Sequence, residues 1–169
     1  GGSAFSGQIS SGLFNRFPEI DMIVTGEGEL PLSRIVAHIG ARPKGGAPPS
    51  IPGVVTPGSL ARGPLPGFCQ VETLDDLPPP DYDEYFELLK SLAPRDSFFP
   101  TLPAETSRGC WWQRLSSTAK SSGCAFCNLN LQWEGYRRKD PGQVAAEIDR
   151  LTAKYQTLAV SIVDNVLPK

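Results

Sequence analysis

Three of the four cysteines lie close together in the sequence, and their spacing is compatible with a metal site. Two residues separate Cys124 from Cys127, so both sulfurs can reach one metal centre, while thirteen residues separate Cys110 from Cys124. Three thiolates would leave one iron of a four-iron cluster without a protein ligand, and catalysis at a metal needs such an open position. Local spacing alone leaves three interpretations open: an iron–sulfur cluster, a structural zinc site with a fourth ligand, or unligated cysteines.

The remaining cysteine and the single histidine are less suited to this site. Cys69 stands alone and is interpreted as a small apolar residue. His38 lies on the far side of a proline-rich stretch and is interpreted as a surface residue of its helix. Since no secretory signal opens the chain, the four cysteines do not indicate a disulfide framework, and clustered thiols favour metal or redox chemistry.

The elements before residue 43 predict an α/β unit. Apolar residues at helical spacing predict helices over 9–17 and 31–40. The apolar run 20–24 between them predicts a buried strand that ends in the turn T-G-E-G-E. A helix, a strand and a helix in this order fit the end of a doubly wound sheet.

The middle of the chain has the composition of a connector. Pro and Gly make up about half of residues 43–67, which predicts a linker or loose loop with one short strand near 51–55. The segment L-D-D-L-P-P-P-D-Y-D-E-Y-F follows. Its proline run predicts a stiff spacer, and its aromatic residues begin a short amphipathic helix.

A second compact region is predicted after this connector. A strand beginning near Thr101 delivers the chain to Cys110. A helix is predicted over residues 140–155. It begins with D-P-G-Q, in which Asp is the N-cap, Pro takes the first helical position and Gln takes the capping-box position. The apolar run 158–163 predicts a buried strand, parallel to the first, that ends at Asp164. Strand, loop, helix and strand predict the opening of a parallel α/β barrel, where chemistry gathers at the carboxyl ends of strands.

Composition excludes several classes of function. The net charge is -2 and the isoelectric point about 5.4, which gives no reason to expect a nucleic-acid partner or an anionic membrane. No apolar run reaches the roughly 18 residues that a membrane-spanning helix needs. A cytoplasmic location is therefore expected. Because the chain opens on Gly-Gly without Met and stops just after a strand-like run, we expect it to be an excerpt of a longer protein.

Several motifs together resemble one family. S-R-G-C-W-W, C-A-F-C-N-L-N and Y-R-R-K, followed by a helix and a strand ending in D-N, closely resemble radical S-adenosylmethionine (SAM) enzymes that mature ribosomally made peptides. The segment L-D-D-L-P-P-P-D-Y-D-E-Y-F resembles the linker of radical SAM proteins with an N-terminal cobalamin-binding domain. G-G-S and I-D-M-I-V-T-G-E-G-E resemble the last third of that domain. The resemblance touches nearly the whole chain.

The sequence departs from that family in one respect. The common radical SAM spacing places three residues between the first two cysteines, and the peptide-maturing group has a somewhat longer gap. Here the gap is thirteen residues and includes the polar stretch Q-R-L-S-S-T-A-K-S-S. We interpret this stretch as a surface loop insertion, which the site can tolerate because lengthening a loop costs little closure entropy.

The resemblance implies a particular fold. Residues 1–42 would be the C-terminal part of a cobalamin-binding-like, doubly wound domain. Residues 43–97 would be the linker region, and residues 98–169 the N-terminal part of a (β/α) radical SAM barrel. A barrel that stops after two strands lacks walls to hold its cofactor, so this excerpt alone is expected not to cleave SAM efficiently.

The resemblance also implies an activity. Cys110, Cys124 and Cys127 would hold a 4Fe-4S cluster whose open iron binds SAM, and reduction would cleave SAM to a 5′-deoxyadenosyl radical. The implied partners are a precursor peptide, which the enzyme would modify and could methylate on carbon, and an electron donor such as a flavodoxin or a ferredoxin. Two alternatives stay open: a radical SAM enzyme that does not use cobalamin, and a non-catalytic zinc-binding module.

Roles for individual residues follow from the same resemblance. Phe126 would lie near the adenine of SAM, or else be a core residue, and Asp164 would face the barrel mouth as a cofactor contact. Trp111 and Trp112 would either cover the cluster or pack ordinarily. Arg137 would face the cofactor or, as we favour, be solvated. Four residues would contact cobalamin or else form plain turns: Gly1, Gly2, Gly26 and Glu27.

Overall fold

The computed structural model of the chain describes residues 9–41, 50–61, 68–92, 99–112 and 134–166. Helices and short strands occur together along these segments, so the predicted α/β class is confirmed at that coarse level. The chain divides into two compact units, the first formed by residues 1–72 and 109–135 and the second by residues 73–108 and 136–169. These units run across the boundaries expected at residues 42 and 97, and the division into domains stays a prediction.

The first unit has a small antiparallel sheet. Its elements in the described segments are α1 (Ile9–Arg16), β1 (Ile23–Val24), α2 (Glu29–Ala41), β2 (Val54–Val55) and α3 (Pro57–Leu60). Ile23 lies opposite Val55, and Val24 opposite Val54. The short strand predicted near residues 51–55 is thereby confirmed. A doubly wound sheet is mostly parallel, so this antiparallel pairing does not by itself supply the predicted doubly wound arrangement.

The core of the first unit forms where α1 meets the paired strands. Phe14, Ile23 and Val55 are 8%, 5% and 0% exposed. Three partly buried residues pack against them: Leu13, Ile20 and Leu60. Since burial of apolar side chains is the main favourable term in folding, this cluster is what holds α1 on β1 and β2.

The apolar face of α2 is not part of that core. The predicted helix forms over Glu29–Ala41. However, Leu32, Val36 and Ile39 are 57%, 61% and 63% exposed. Helical spacing correctly predicted the helix, whereas the burial of its apolar side chains depends on contacts that spacing cannot specify.

The remaining elements include a pair of parallel strands. In chain order they are α4 (Asp83–Leu92), β3 (Leu102–Ala104), β4 (Ser107–Gly109), β5 (Tyr136–Arg138), α5 (Pro141–Tyr155) and β6 (Val160–Ile162). β3 pairs with β6 in parallel, with Leu102 opposite Val160, and β4 pairs with β5. The predicted parallel pairing is confirmed, and α5 lies between its two strands in the sequence. The expectation that the strand paired with residues 158–163 leads directly to Cys110 is wrong, because Cys110 follows a separate strand, β4, which pairs with β5.

The start of α5 agrees with its sequence signature in most respects. Asp140 is the N-cap, and its Oδ1 accepts the N–H groups of Gly142 and Gln143 at 2.8 and 3.2 Å. Pro141 begins the helix, where its missing N–H costs nothing. In a complete capping box, Gln143 would accept the backbone N–H of Asp140. That N–H instead donates to Oδ1 of Asp75 at 2.7 Å, which ties the helix start to a distant turn.

An aromatic cluster joins the predicted helix α4 to α5. The rings of Phe86 and Tyr155 stack with centroids 4.6 Å apart, and Tyr82 meets Tyr155 edge-on at 5.8 Å. The hydroxyl of Tyr155 accepts the backbone N–H of Tyr82 at 2.7 Å. Of the helices in the described segments, none is both long enough and apolar enough to cross a membrane.

Candidate functional site

Cys110 is the one predicted cluster ligand that lies among the described residues. It directly follows β4 and is half-buried. The next two residues, Trp111 and Trp112, are 37% and 60% exposed, and their rings meet edge-on with centroids 5.8 Å apart. The described residues include no group of three His, Cys, Asp or Glu side chains placed to hold a metal ion. Cys124 and Cys127 lie outside the described residues, as does Phe126, so the three-cysteine site stays a prediction.

Asp164 lies just past the carboxyl end of β6 and is heavily hydrogen-bonded. Its Oδ1 accepts the backbone N–H of Thr106 at 2.7 Å. Its Oδ2 accepts the hydroxyl groups of Thr106 and Ser107, the second at 2.8 Å. Thr106 and Ser107 follow β3, so Asp164 joins the carboxyl ends of the two parallel strands.

These contacts determine the ionisation of Asp164. Partial burial of the carboxyl group acts to raise its pKa, but hydrogen bonds from Thr106 and Ser107, side chain and backbone together, outweigh that effect and lower the pKa below its ordinary value. Hydrogen bonds to a charged carboxylate favour the charged form. Asp164 is therefore an ionised acceptor at neutral pH.

Thr106 is also held from its other side. Its carbonyl oxygen accepts the backbone N–H of Lys139 at 2.9 Å. Lys139 is 7% exposed, and its Nζ donates to both carboxylate oxygens of Glu147 at 3.1 and 2.9 Å. The pattern Y-R-R-K was noted in the sequence, but the partner of Lys139 was not predicted. The only local signal for this ion pair is a Lys followed eight residues later by a Glu on a capped helix, and that signal is weak.

Gly26 and Glu27 of the T-G-E-G-E turn are bound to the segment around Cys69. Gly26 pairs with Cys69 in an isolated parallel bridge. The backbone N–H of Glu27 donates to the Cys69 carbonyl at 2.8 Å. Its side chain is 6% exposed, and Oε2 accepts the N–H of Val71 at 2.5 Å. Both residues thus have a structural role, and their predicted contact with cobalamin stays a prediction, as it does for Gly1 and Gly2, which lie outside the described residues.

Cys69 is half-buried, its backbone is bound to the segment around Thr25, and its thiol is poorly suited to ligation. Its N–H donates to the Thr25 carbonyl at 3.1 Å, and its Cβ lies 2.7 Å from the place that a Cβ on Gly53 would take. Burial raises the pKa of the Cys69 thiol, and the negative charges of Glu27 and Glu29 add to that effect while Arg34 opposes it. Because the thiolate is the form that binds metals, a raised pKa disfavours ligation.

Arg137 is the middle residue of β5, two residues before Lys139. It is half-buried, with its Nε atom shielded from solvent, which differs from the favoured expectation that it is solvated. Its neighbour Tyr136 is also half-buried on the same strand. Both side chains belong to the strand β5, which pairs with β4. The run of basic residues in the sequence does not predict that pairing, and so it does not predict their partial burial.

Comparison with known proteins does not assign the chain to a family. No family model matches the chain, and no curated protein or solved structure matches it significantly. The motifs of the sequence and the contacts described above are therefore the basis for a proposed function.

Proposed function

We propose that this chain is part of a radical SAM enzyme in which Cys110, Cys124 and Cys127 hold a 4Fe-4S cluster. The structural observation that supports the proposal is the parallel pairing of β3 with β6, connected through α5. A β–α–β unit of this kind is the repeating element of parallel barrels, whose active sites lie at the carboxyl ends of the strands. Asp164 follows the end of β6, and Cys110 lies six residues past the end of β3, after the intervening strand β4.

The donor chemistry of the three cysteines fits an iron–sulfur cluster. Thiolates are the usual protein ligands of such clusters, and three of them leave one iron open for a cofactor. Cys110 is half-buried, so a cluster bound there would be partly shielded from water. When bound and reduced, the cluster would supply the electron that cleaves SAM.

The chain's own residues would position these groups and limit access of water. Trp111 and Trp112 place two apolar rings next to Cys110 in the sequence, where they would restrict solvent around the ligand. Phe126 precedes the last cysteine and would pack near the adenine of SAM. These roles belong to binding and exclusion of water, and the radical chemistry itself belongs to the cofactor.

The proposed substrate is a ribosomally made precursor peptide, with a flavodoxin or ferredoxin as electron donor. This part depends on the resemblance of S-R-G-C-W-W and C-A-F-C-N-L-N to peptide maturases. A cobalamin-binding-like domain before the linker, and methylation of carbon, form the finer part of the proposal. A short precursor-peptide gene beside the full reading frame would support peptide maturation.

Metal identity tests the proposal against the zinc-binding alternative. The chain is purified anaerobically, reconstituted with iron and sulfide, and analysed for iron, sulfide and zinc. A brown protein that contains iron and sulfide, with an electron paramagnetic resonance signal after reduction, is expected. A colourless protein that retains zinc and takes up no iron would contradict the proposal.

Two further measurements test whether an open iron binds SAM and whether the enzyme uses cobalamin. SAM added to the reduced cluster should change its paramagnetic spectrum if an open iron binds the cofactor. Corrinoid that co-purifies with the full-length protein would support the cobalamin branch. Its absence after growth with cobalamin, together with retained SAM cleavage, would favour the radical SAM enzyme that does not use cobalamin.

A further inference from the structure

The acceptor capacity of Asp164 is taken up by its own protein. An ionised carboxylate offers about four acceptor positions. Thr106 supplies its backbone N–H and its hydroxyl, and Ser107 supplies its hydroxyl. The backbone of Ser107 also stabilises the charged form. Little capacity is left for hydrogen bonds to the amino group or the ribose of a cofactor.

The two residues that Asp164 binds are themselves fixed. Ser107 is 2% exposed, and its hydroxyl also reaches the carbonyl oxygen of Val166 at 3.1 Å. The carbonyl of Thr106 accepts the N–H of Lys139. Thr106 is therefore held by Asp164 on its amide side and by Lys139 on its carbonyl side.

This anchored dipeptide lies directly upstream of the predicted cluster ligand. Ser107 begins β4, and Cys110 is the first residue after that strand. Thr106 and Ser107 fix the start of β4, and pairing with β5 restricts the backbone conformation of the rest of that strand. A change at Asp164 is therefore expected to loosen the start of β4, the strand that leads to Cys110.

We propose that Asp164 is a positioning residue that fixes Thr106 and Ser107 at the start of the strand leading to Cys110, and that it is not itself a cofactor ligand. The interpretation of Cys110 as a cluster ligand rests on the proposed function, whereas the anchoring of residues 106–107 does not. The Asp164 carboxylate organises the end of β3 through charge-assisted hydrogen bonds, which are stronger than neutral ones. The strand that leads to Cys110 thereby begins at an anchored pair of residues.

The first test needs no metal. Hydrogen exchange is measured by mass spectrometry on the metal-free chain, with a peptide that covers residues 105–110 and one from α5 as internal reference. Asp164→Ala should accelerate exchange in the 105–110 peptide by about tenfold or more, since hydrogen bonds to charged groups are lost. Asp164→Asn keeps one carbonyl acceptor for Thr106 and should show a smaller effect. Asp149→Asn, an exposed carboxylate on α5, should leave both peptides unchanged.

The second test uses the reconstituted chain. Asp164→Ala should lower the iron content several-fold or alter the paramagnetic spectrum of the cluster before SAM is added, and Asp164→Asn should partly restore both. A merely structural role elsewhere would lower the unfolding midpoint without changing the spectrum of the folded fraction. Thr106→Val, which keeps the backbone N–H and removes the hydroxyl, should reproduce the partial effect.

Two results would overturn the proposal. One is unchanged exchange in the 105–110 peptide of Asp164→Ala. The other is an unchanged cluster in Asp164→Asn combined with a large loss of SAM binding, which would make Asp164 a cofactor contact. If the wild-type chain took up no iron at all, the proposed function would fail, and the exchange experiment would still decide whether Asp164 anchors this segment.

Discussion

The carbonyl oxygen of Cys69 lies 2.3 Å from the position that a Cβ atom on Gly26 would occupy, and the Cys69 nitrogen lies 2.9 Å from it. Gly26 also has a φ of 84°, a backbone conformation that residues with a side chain rarely adopt. The atoms in the way belong to the backbone, so they cannot move aside as a flexible side chain would. The close approach of these two segments thus requires glycine at position 26.

Gly26→Ala should destabilise the first unit substantially. We expect a loss of at least about 2 kcal/mol in the free energy of unfolding, because strain at positive φ and a backbone clash add together. Gly28→Ala is the matched control, since a Cβ there would meet nothing within 4 Å. Urea unfolding of both variants measures the difference. Equal stability of the two variants would show that the pairing of Gly26 with Cys69 is wrong.

The stacked pair of Phe86 and Tyr155 should contribute a measurable coupling energy. In a double-mutant cycle of Phe86→Ala and Tyr155→Ala, we expect a coupling of about 1 kcal/mol, which is typical of aromatic pairs. Leu88 lies on the same helix and is 57% exposed, so Leu88→Ala should be additive with Tyr155→Ala. Urea midpoints of the single and double variants supply the measurement. Additivity in the Phe86 cycle would contradict the packing of α4 on α5.

The lowered pKa of Asp164 predicts a pH-dependent stability. A carboxyl group whose pKa is depressed by folding stabilises the protein above its unfolded pKa, and that contribution is lost as the pH falls through the folded pKa. The wild-type chain should therefore exceed Asp164→Asn in unfolding free energy at neutral pH, and the difference should shrink below about pH 4. Asp149→Asn controls for the loss of one surface charge. A difference that is constant from neutral to acidic pH would contradict the role of the ionised carboxylate.

Local signals in the sequence predicted the local parts of the fold. Asp140 and Pro141 specify the start of α5 through a cap and a preset φ, both of which act within one helical turn. The order strand, helix, strand predicted the parallel pairing of β3 with β6, because a crossover helix is what such a pairing needs. These inferences needed no knowledge of contacts between distant residues.

The contacts that were not predicted join residues far apart in the chain. Glu27 accepts the N–H of Val71, 44 residues away, and nothing near Glu27 in the sequence distinguishes it from a solvated turn residue. Asp164 is likewise bound to a distant residue, Thr106, across 58 residues. The sequence located Asp164 at the end of a strand and predicted a cofactor contact. Its full set of hydrogen-bond donors became evident only from the folded chain.

Whether Cys110, Cys124 and Cys127 together hold one iron–sulfur cluster is tested most directly by the iron and sulfide content of four single variants. Each of the three cysteines is replaced by Ala in turn, and Cys69→Ala is the control, since partial burial raises the pKa of the Cys69 thiol. After anaerobic reconstitution, the wild-type chain and Cys69→Ala should each hold about four iron atoms. The other three variants should lose the cluster. A full iron complement in Cys110→Ala would contradict the assignment, because another residue would then supply the third ligand.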